Sequence, residues 1–243
     1  MLSSLLVTGE GPSDMGTPNN GSNLWTAEAY NIGPMAILSV KLIKQLLPEW
    51  NIDLIDFEQP KNWITGISGS NLAGRAKGKS KFKPSKKISP GYIEYAARAF
   101  EMAKFAQDNG HQLAIYFHDA DRGNQSEFVN AINFGFKAAE TTVCIVAMIP
   151  KPTSEAWLIC ASKPEPYQHC AQLEDRLSGN DSSPERAPKK VLARHLGIDN
   201  CPTETQMDLV REIDVNRIAM PSFDQFRYDM AQAIRYICGD VNF

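Results

Sequence analysis

Hydrophobic positions along this chain fall into two kinds of run. Short, nearly unbroken apolar runs closed by Gly, Pro or a polar turn read as buried strands, whereas apolar residues recurring every three or four positions read as helices. The first kind occurs at Leu2–Val7, at Asn51–Phe57 (NIDLIDF), at Leu113–Phe117 (LAIYF) and at Thr142–Ile149 (TVCIVAMI). The last is apolar throughout, as expected of a strand covered on both faces. The second kind begins at Pro34, where Met35, Leu38, Leu42, Ile43 and Leu46 keep helical spacing and Pro34 suits a first helical turn. Further helices are predicted over Tyr92–Gln107, with Gly110 as the stop, over Ser126–Ala139 and over Ser154–Ala161. After a polar, irregular stretch from Ser162 to Pro188, helical spacing returns at Lys189–Leu196, Glu204–Ile213 and Ser222–Tyr236.

Strands alternating with helices imply right-handed crossovers, hence an α/β fold with a mostly parallel sheet flanked by helices. The pattern divides the chain into an α/β domain at 1–161 and a helical C-terminal extension at 162–243. The extension either caps the sheet or forms a small subdomain of its own; the spacing fits both. One stretch breaks the alternation. From Asn62 to Lys87 the chain is rich in Gly, Ser and Lys with little periodicity, so it is expected to be irregular and mobile, pinned only by Trp63, Ile64, Ile67 and Phe82.

Charge gives that stretch a meaning. The net charge is −3, but the 35 residues from Gln59 to Ile93 contain no acid and eight of the 25 Lys and Arg. The remaining 17 cations stand against 28 acids, a balance of −11. A basic insertion (59–93) on an acidic body is the footprint expected for a polyanion partner, and an equally simple reading is a solvated loop. Within it, Lys77, Lys79, Lys81 and Lys83 alternate and would share one face of an extended chain, with Lys86 and Lys87 close behind; these six are the candidate nucleic-acid contacts.

Composition excludes several classes. No run approaches the roughly 18 apolar residues of a membrane span, so no membrane association is expected. The first residues lack a basic region and turn polar after Val7, unlike a secretory signal. Five scattered cysteines without a CxxC argue for reduced thiols and a cytoplasmic address. Phosphate-binding loops of the GxxxxGK[ST] type, dinucleotide glycine fingerprints and GxSxG elbows are missing from the sequence.

The acids fall where an open parallel sheet places its ligands, just beyond strand ends. Glu10 follows the first strand, with Asp14 four residues on; Asp119 and Asp121 follow LAIYF; Glu155 follows TVCIVAMI. Carboxylates converging from three strand ends repel one another unless a cation joins them, and hard oxygen ligands select Mg2+ or Mn2+. Single acids at such places also serve as helix caps, so it is the conjunction that points to catalysis.

Three segments carry a resemblance: GEGPSD at Gly9–Asp14, FHDADRG at Phe117–Gly123 and IPKPTSEAWLIC at Ile149–Cys160. In order and content they resemble the motif series of Toprim-fold proteins, most closely the RloB-like and related small Toprim proteins of bacterial phage-defence and mobile-element loci. More distantly they resemble the Toprim half of overcoming-lysogenization-defect nucleases. The resemblance covers about Leu5–Cys160. It implies a Toprim-like sheet and a Mg2+-dependent nuclease acting on DNA or RNA phosphodiesters. Glu10, Asp119, Asp121 and Glu155 would be catalytic and metal-holding, and Asp14, where relatives often carry a second glutamate, would be a shorter-reaching ligand. It also implies a possible partner ATPase within a defence system.

Two other readings stay open: a non-catalytic Toprim-like subunit binding a protein or nucleic acid, and a nucleotide-sugar transferase using Asp119 and Asp121 to hold a metal–diphosphate. His118 reads as a structural histidine or a phosphate contact, and Trp157 as a core anchor. Cys160, His169 and Cys170 match no common zinc spacing.

Overall fold

The computed structural model describes residues 2–11, 13–18, 24–25, 30–49, 63–78, 80–179 and 185–239. The first strand, β1 (Leu5–Gly9), is buried along its whole length. A small antiparallel ribbon follows, β2 (Gly16–Pro18) against β4 (Tyr30–Ile32), with β3 (Leu24–Trp25) between them in sequence. Helix α1 (Pro34–Leu46) starts on Pro34, as the helical spacing predicts. The strand expected over Asn51–Phe57 lies outside the described residues.

The next strand, β5 (Ile64–Ser68), and helix α2 (Gly69–Lys77) correct the expectation of an irregular basic segment. β5 pairs in parallel with β1, so its backbone donors and acceptors are satisfied by the sheet despite its Gly and Ser content. α2 is started by Ser68, whose hydroxyl accepts from Asn71 N–H. Beyond it the chain crosses the outer side of two long helices, α3 (Ile93–Asp108) and α4 (Gln125–Ala139). There Phe82 packs on Phe100 and Phe134, and Ile88 is buried against Ala96 and Ala131. Between α3 and α4 lies β6 (Leu113–Phe117), and β7 (Cys144–Met148) follows α4.

The main sheet has the order β3-β5-β1-β6-β7; β5, β1, β6 and β7 run parallel and β3 is an antiparallel edge. Alternate residues of its strands enter two cores. Leu5, Val7, Ile115 and Met148 face α1 and the C-terminal helices, whereas Leu6, Ala114, Tyr116 and Ala147 face α2, α3 and α4. The fold is therefore α/β, with helices on both faces, as the alternating pattern predicts. Among the described residues no helix is long and apolar enough to cross a membrane.

The C-terminal helices are α5 (Ser154–Ser162), α6 (Leu173–Arg176), α7 (Pro188–Leu196), α8 (Thr203–Glu212) and α9 (Pro221–Cys238). They share one hydrophobic core with β1, β6, β7 and α1, so the helical part caps one sheet face. Trp157 of α5 sits at its centre, stacked near Phe226, edge-on to Phe223 and donating to Ser222 Oγ at 2.8 Å. Cys160 and Cys170 are joined in a disulfide that ties the end of α5 to the loop before α6. This corrects the expectation of reduced thiols for that pair, removes the cysteine argument for a cytoplasmic address and leaves neither sulfur for zinc.

Candidate functional site

Register aligns the strand ends. Gly9 pairs with Ser68, Thr8 with Tyr116 and Phe117 with Met148, so the residues that follow β1, β5, β6 and β7 emerge at one level. Strand order reverses at β1, with β5 on one side and β6 on the other. In open α/β sheets that reversal opens a crevice for ligands beyond the carboxyl ends.

Glu10 leaves β1 at this crevice. His118 Nδ1 donates to Glu10 Oε2 at 3.1 Å, and the imidazole packs against the Tyr95 and Phe128 rings, each 4.7 Å away. Burial pushes the Glu10 carboxyl up, but the His118 ring, the Asp119 backbone N–H and the Arg98 charge outweigh it and keep Glu10 below its ordinary value. Glu10 is thus held ionised with an oriented imidazole beside it.

Asp119 is fixed by the loop that joins β7 to α5. His118 N–H donates to Met148 O, Ala120 N–H to Pro150 O and Asp121 N–H to Pro152 O, lacing the two strand-end loops together. Asp119 Oδ1 then accepts from Ser154 N–H at 2.8 Å, at the first turn of α5. Burial, followed by the charges of Glu155, Asp14 and Glu10, still raises the Asp119 carboxyl well above the ordinary range. Asp121 takes a left-handed backbone (φ 46°), which corrects the premise that an extended chain would aim it alongside Asp119. It lines the same cleft of about 330 Å³ as Glu10, His118 and Asp119.

Asp14 is delivered by a turn clamped onto the start of α1. Met35 N–H donates to Asp14 O and Gly33 N–H to Met15 O, and a Cβ on Gly33 would lie 2.5 Å from Asp14 O. Only glycine allows that approach. Ser154 Oγ reaches Asp14 Oδ1 at 3.4 Å. Burial and the Glu155 charge raise Asp14 to about 6, against the opposing pull of Lys189. Glu155 itself is 2% exposed; Thr153 Oγ1 donates to Oε2 at 2.6 Å, and Lys189 Nζ of α7 stands 3.9 Å from Oε1.

The structure therefore brings Asp14, Asp119 and Glu155 within electrostatic reach of one another, with Glu10 acting on Asp119 from the far side. Besides Arg98, three participants were not singled out in the sequence. Thr153 and Ser154 stand inside the IPKPTSEAWLIC segment, where their neighbourhood to Glu155 was the available signal. Lys189 comes from a helix far along the chain, and nothing local marks it. Of the six candidate lysines, Lys77 ends α2, Lys81, Lys83, Lys86 and Lys87 are exposed on the segment crossing α3 and α4, and Lys79 lies outside the described residues.

As to a metal, no three His, Cys, Asp or Glu side chains among the described residues form a ready-made cage. The donor set nevertheless fits a hard divalent cation. It consists of carboxylate oxygens whose mutual repulsion a cation would relieve, and Mg2+ is commonly held by one or two carboxylates together with water and substrate phosphate. Comparison with known proteins adds no relative: no family model, no curated protein and no solved structure matches the chain.

Proposed function

We propose that this chain is a Mg2+- or Mn2+-dependent nuclease of the Toprim type, hydrolysing phosphodiesters of DNA or RNA in the setting of phage defence. The observation that carries the reading is the convergence of Asp14, Asp119 and Glu155 at the switch point of a parallel sheet, where Ser154, next to Glu155, bonds Asp119 Oδ1 through its N–H and reaches Asp14 Oδ1 through its hydroxyl. Burying repelling acids costs stability, and carboxyls perturbed by burial and by one another in a cleft are candidates for a functional site. The basic flank supports a polyanionic substrate.

In this reading one or two of Asp14, Asp119 and Glu155 would hold the cation together with water and substrate phosphate, with Glu10 and Asp121 on the cleft side facing substrate. The bound metal would supply an activated water and charge stabilisation at the leaving oxygen. Glu10, kept ionised by His118, accepts a proton at the cleft. The Ser154 N–H and the Thr153 hydroxyl fix the orientation of Asp119 and Glu155. Lys189 offsets charge in the cluster. Arg98, beside Glu10, faces a phosphate.

A second reading, a Toprim-like subunit serving a partner such as an ATPase, draws on the 61% and 74% exposure of Tyr228 and Tyr236 on α9. The deciding experiment incubates the purified chain with single-stranded and duplex DNA and with RNA, in Mg2+, Mn2+ or EDTA. Metal-dependent cleavage lost in Asp119→Asn supports the nuclease. Metal-independent cleavage, or none by the wild type on any substrate, sinks it.

A further inference from the structure

We propose that a groove running from Glu10 past Arg98 to Lys77 seats one single strand of nucleic acid, so that the substrate is unpaired rather than duplex. This deepens the nuclease reading and rests on it. The groove is built from three cavities that share walls. The cleft of about 330 Å³ at Asp119 and Asp121 ends at Glu10 and His118. Those two residues also line a narrower cleft of about 150 Å³, closed on its other side by Ser70, Ala73 and Arg98. Ala73 and Arg98 in turn open into a groove of about 590 Å³ between α2 and the start of α3, which reaches Lys77, Pro90 and Gly91.

Cations mark the whole path. Arg122 lines the inner end, Arg98 the junction of the middle and outer clefts, and Lys77 the outer mouth. Arg98 is held from two sides. Its Nη2 bonds Glu94 at 2.9 Å, its guanidinium lies 5.5 Å from the Tyr95 ring centre, and its charge is felt at Glu10. A guanidinium held this way is a fixed fork for a phosphate. Glu94 is an acid in the outer groove and takes one Nη2 contact of Arg98, which leaves the other N–H groups of the fork for a phosphate. A strand lying here would meet cations at intervals and present one phosphodiester to Glu10 and Asp119.

The size of the middle cleft decides between one strand and two. At about 150 Å³ it is the tightest of the three cavities on this path, with Gly9, Gly69 and Ala73 on its walls. A single strand can lie along this path through the middle cleft, whereas a base-paired duplex, far wider, cannot follow it. Lys81 and Lys83, on the segment packed over α3 and α4, lie off this path and supply only a general field.

The test measures binding of the full chain in EDTA, where cleavage is blocked, to a fluorescent 20-nucleotide single strand and to a hairpin duplex across a salt series. Arg98→Gln and Lys77→Gln should each weaken single-strand binding about tenfold, the scale of one charged hydrogen bond. The double variant should flatten the log–log salt slope by about 1.4, at about 0.7 per single-strand phosphate. Ala73→Phe, a neutral plug, should weaken binding while leaving the slope nearly unchanged. Lys77 is exposed at a helix end, so Lys77→Gln keeps the test sound if Arg98→Gln melts early. Wild-type single-strand affinity in Lys77→Gln and Ala73→Phe would overturn the groove, as would tighter binding of the duplex than of the single strand. The two ideas separate cleanly. Cleavage with groove-independent binding removes the groove alone; groove-dependent binding without cleavage in Mg2+ upholds the groove and removes the nuclease.

Discussion

Asp119 carries an electrostatic cost in the cleft, because burial and three neighbouring acids all disfavour its charge. Asp119→Asn keeps the oxygen that accepts from Ser154 N–H and removes the charge. The metal-free variant should therefore melt higher than wild type at pH 8, while metal-dependent cleavage disappears. A lower melting temperature would mean that the carboxylate is structural. Asp14 gives the pH dependence its sign. Its carboxyl titrates near 3.8 when unfolded and about 6 when folded, so the folded state binds the proton more tightly. The stability it contributes is present below about pH 4 and is lost as pH rises through about 6. Asp119 acts in the same direction. A divalent cation replaces those protons, so Mg2+ should raise the melting temperature more at pH 8 than at pH 5. Equal shifts at the two pH values in differential scanning fluorimetry would separate the acids from the metal.

Single elements decide how these residues meet, and they also show what a sequence can disclose. The ends of α1, α3, α4 and α9 were legible because each buries a continuous apolar stripe. The pair β5 and α2 was not, because α2 buries only Leu72 and carries glycines at 69 and 74, and β5 is a strand through its pairing with β1. Glu10, Asp119 and Glu155 were legible as acids after apolar runs. Lys189 was not, since only the packing of α7 on α5 brings it to Glu155. Lys189 is largely exposed, so Lys189→Gln should change stability by no more than about 0.5 kcal/mol. Its charge opposes the rise of Asp14, so its loss should move the acidic limb of the pH–rate profile upward; an unmoved profile would take Lys189 out of the site. Phe82 belongs to the same scale. It holds the lysine-bearing segment on Phe100 and Phe134. Phe82→Ala should speed amide exchange over 80–88 and cost about 1–3 kcal/mol, less than the 3–5 of a fully buried aromatic. Unchanged exchange there would show that Ile88 alone pins the segment.

At the scale of the whole molecule, the helices after 161 complete the fold rather than decorate it. The face of the sheet bearing Leu5, Val7, Ile115 and Met148 shares its core with residues of α7, α8 and α9. α5 is the link: it presents Glu155 at its first turn and Trp157 two residues later. Trp157 has no exposed surface, and the rings of Phe223 and Phe226 lie 4.9 and 6.0 Å from it. The Cys160–Cys170 disulfide fixes the other end of the same helix. The placement of Glu155 beside Asp14 and Asp119 thus depends on a wall built from the C-terminal third of the chain. A fragment ending at Ala161 would expose that wall, and each large side chain returned to water costs about 1.5–3 kcal/mol, so a handful consumes the 5–15 kcal/mol that holds an ordinary domain. The fragment should show no cooperative melting and should bind a hydrophobic dye. Co-expression with residues 162–243 should restore both the transition and the Mg2+-dependent shift in melting temperature. A fragment that melts cooperatively on its own, with that shift intact, would make the α/β part an independent domain and the helical part an appendage.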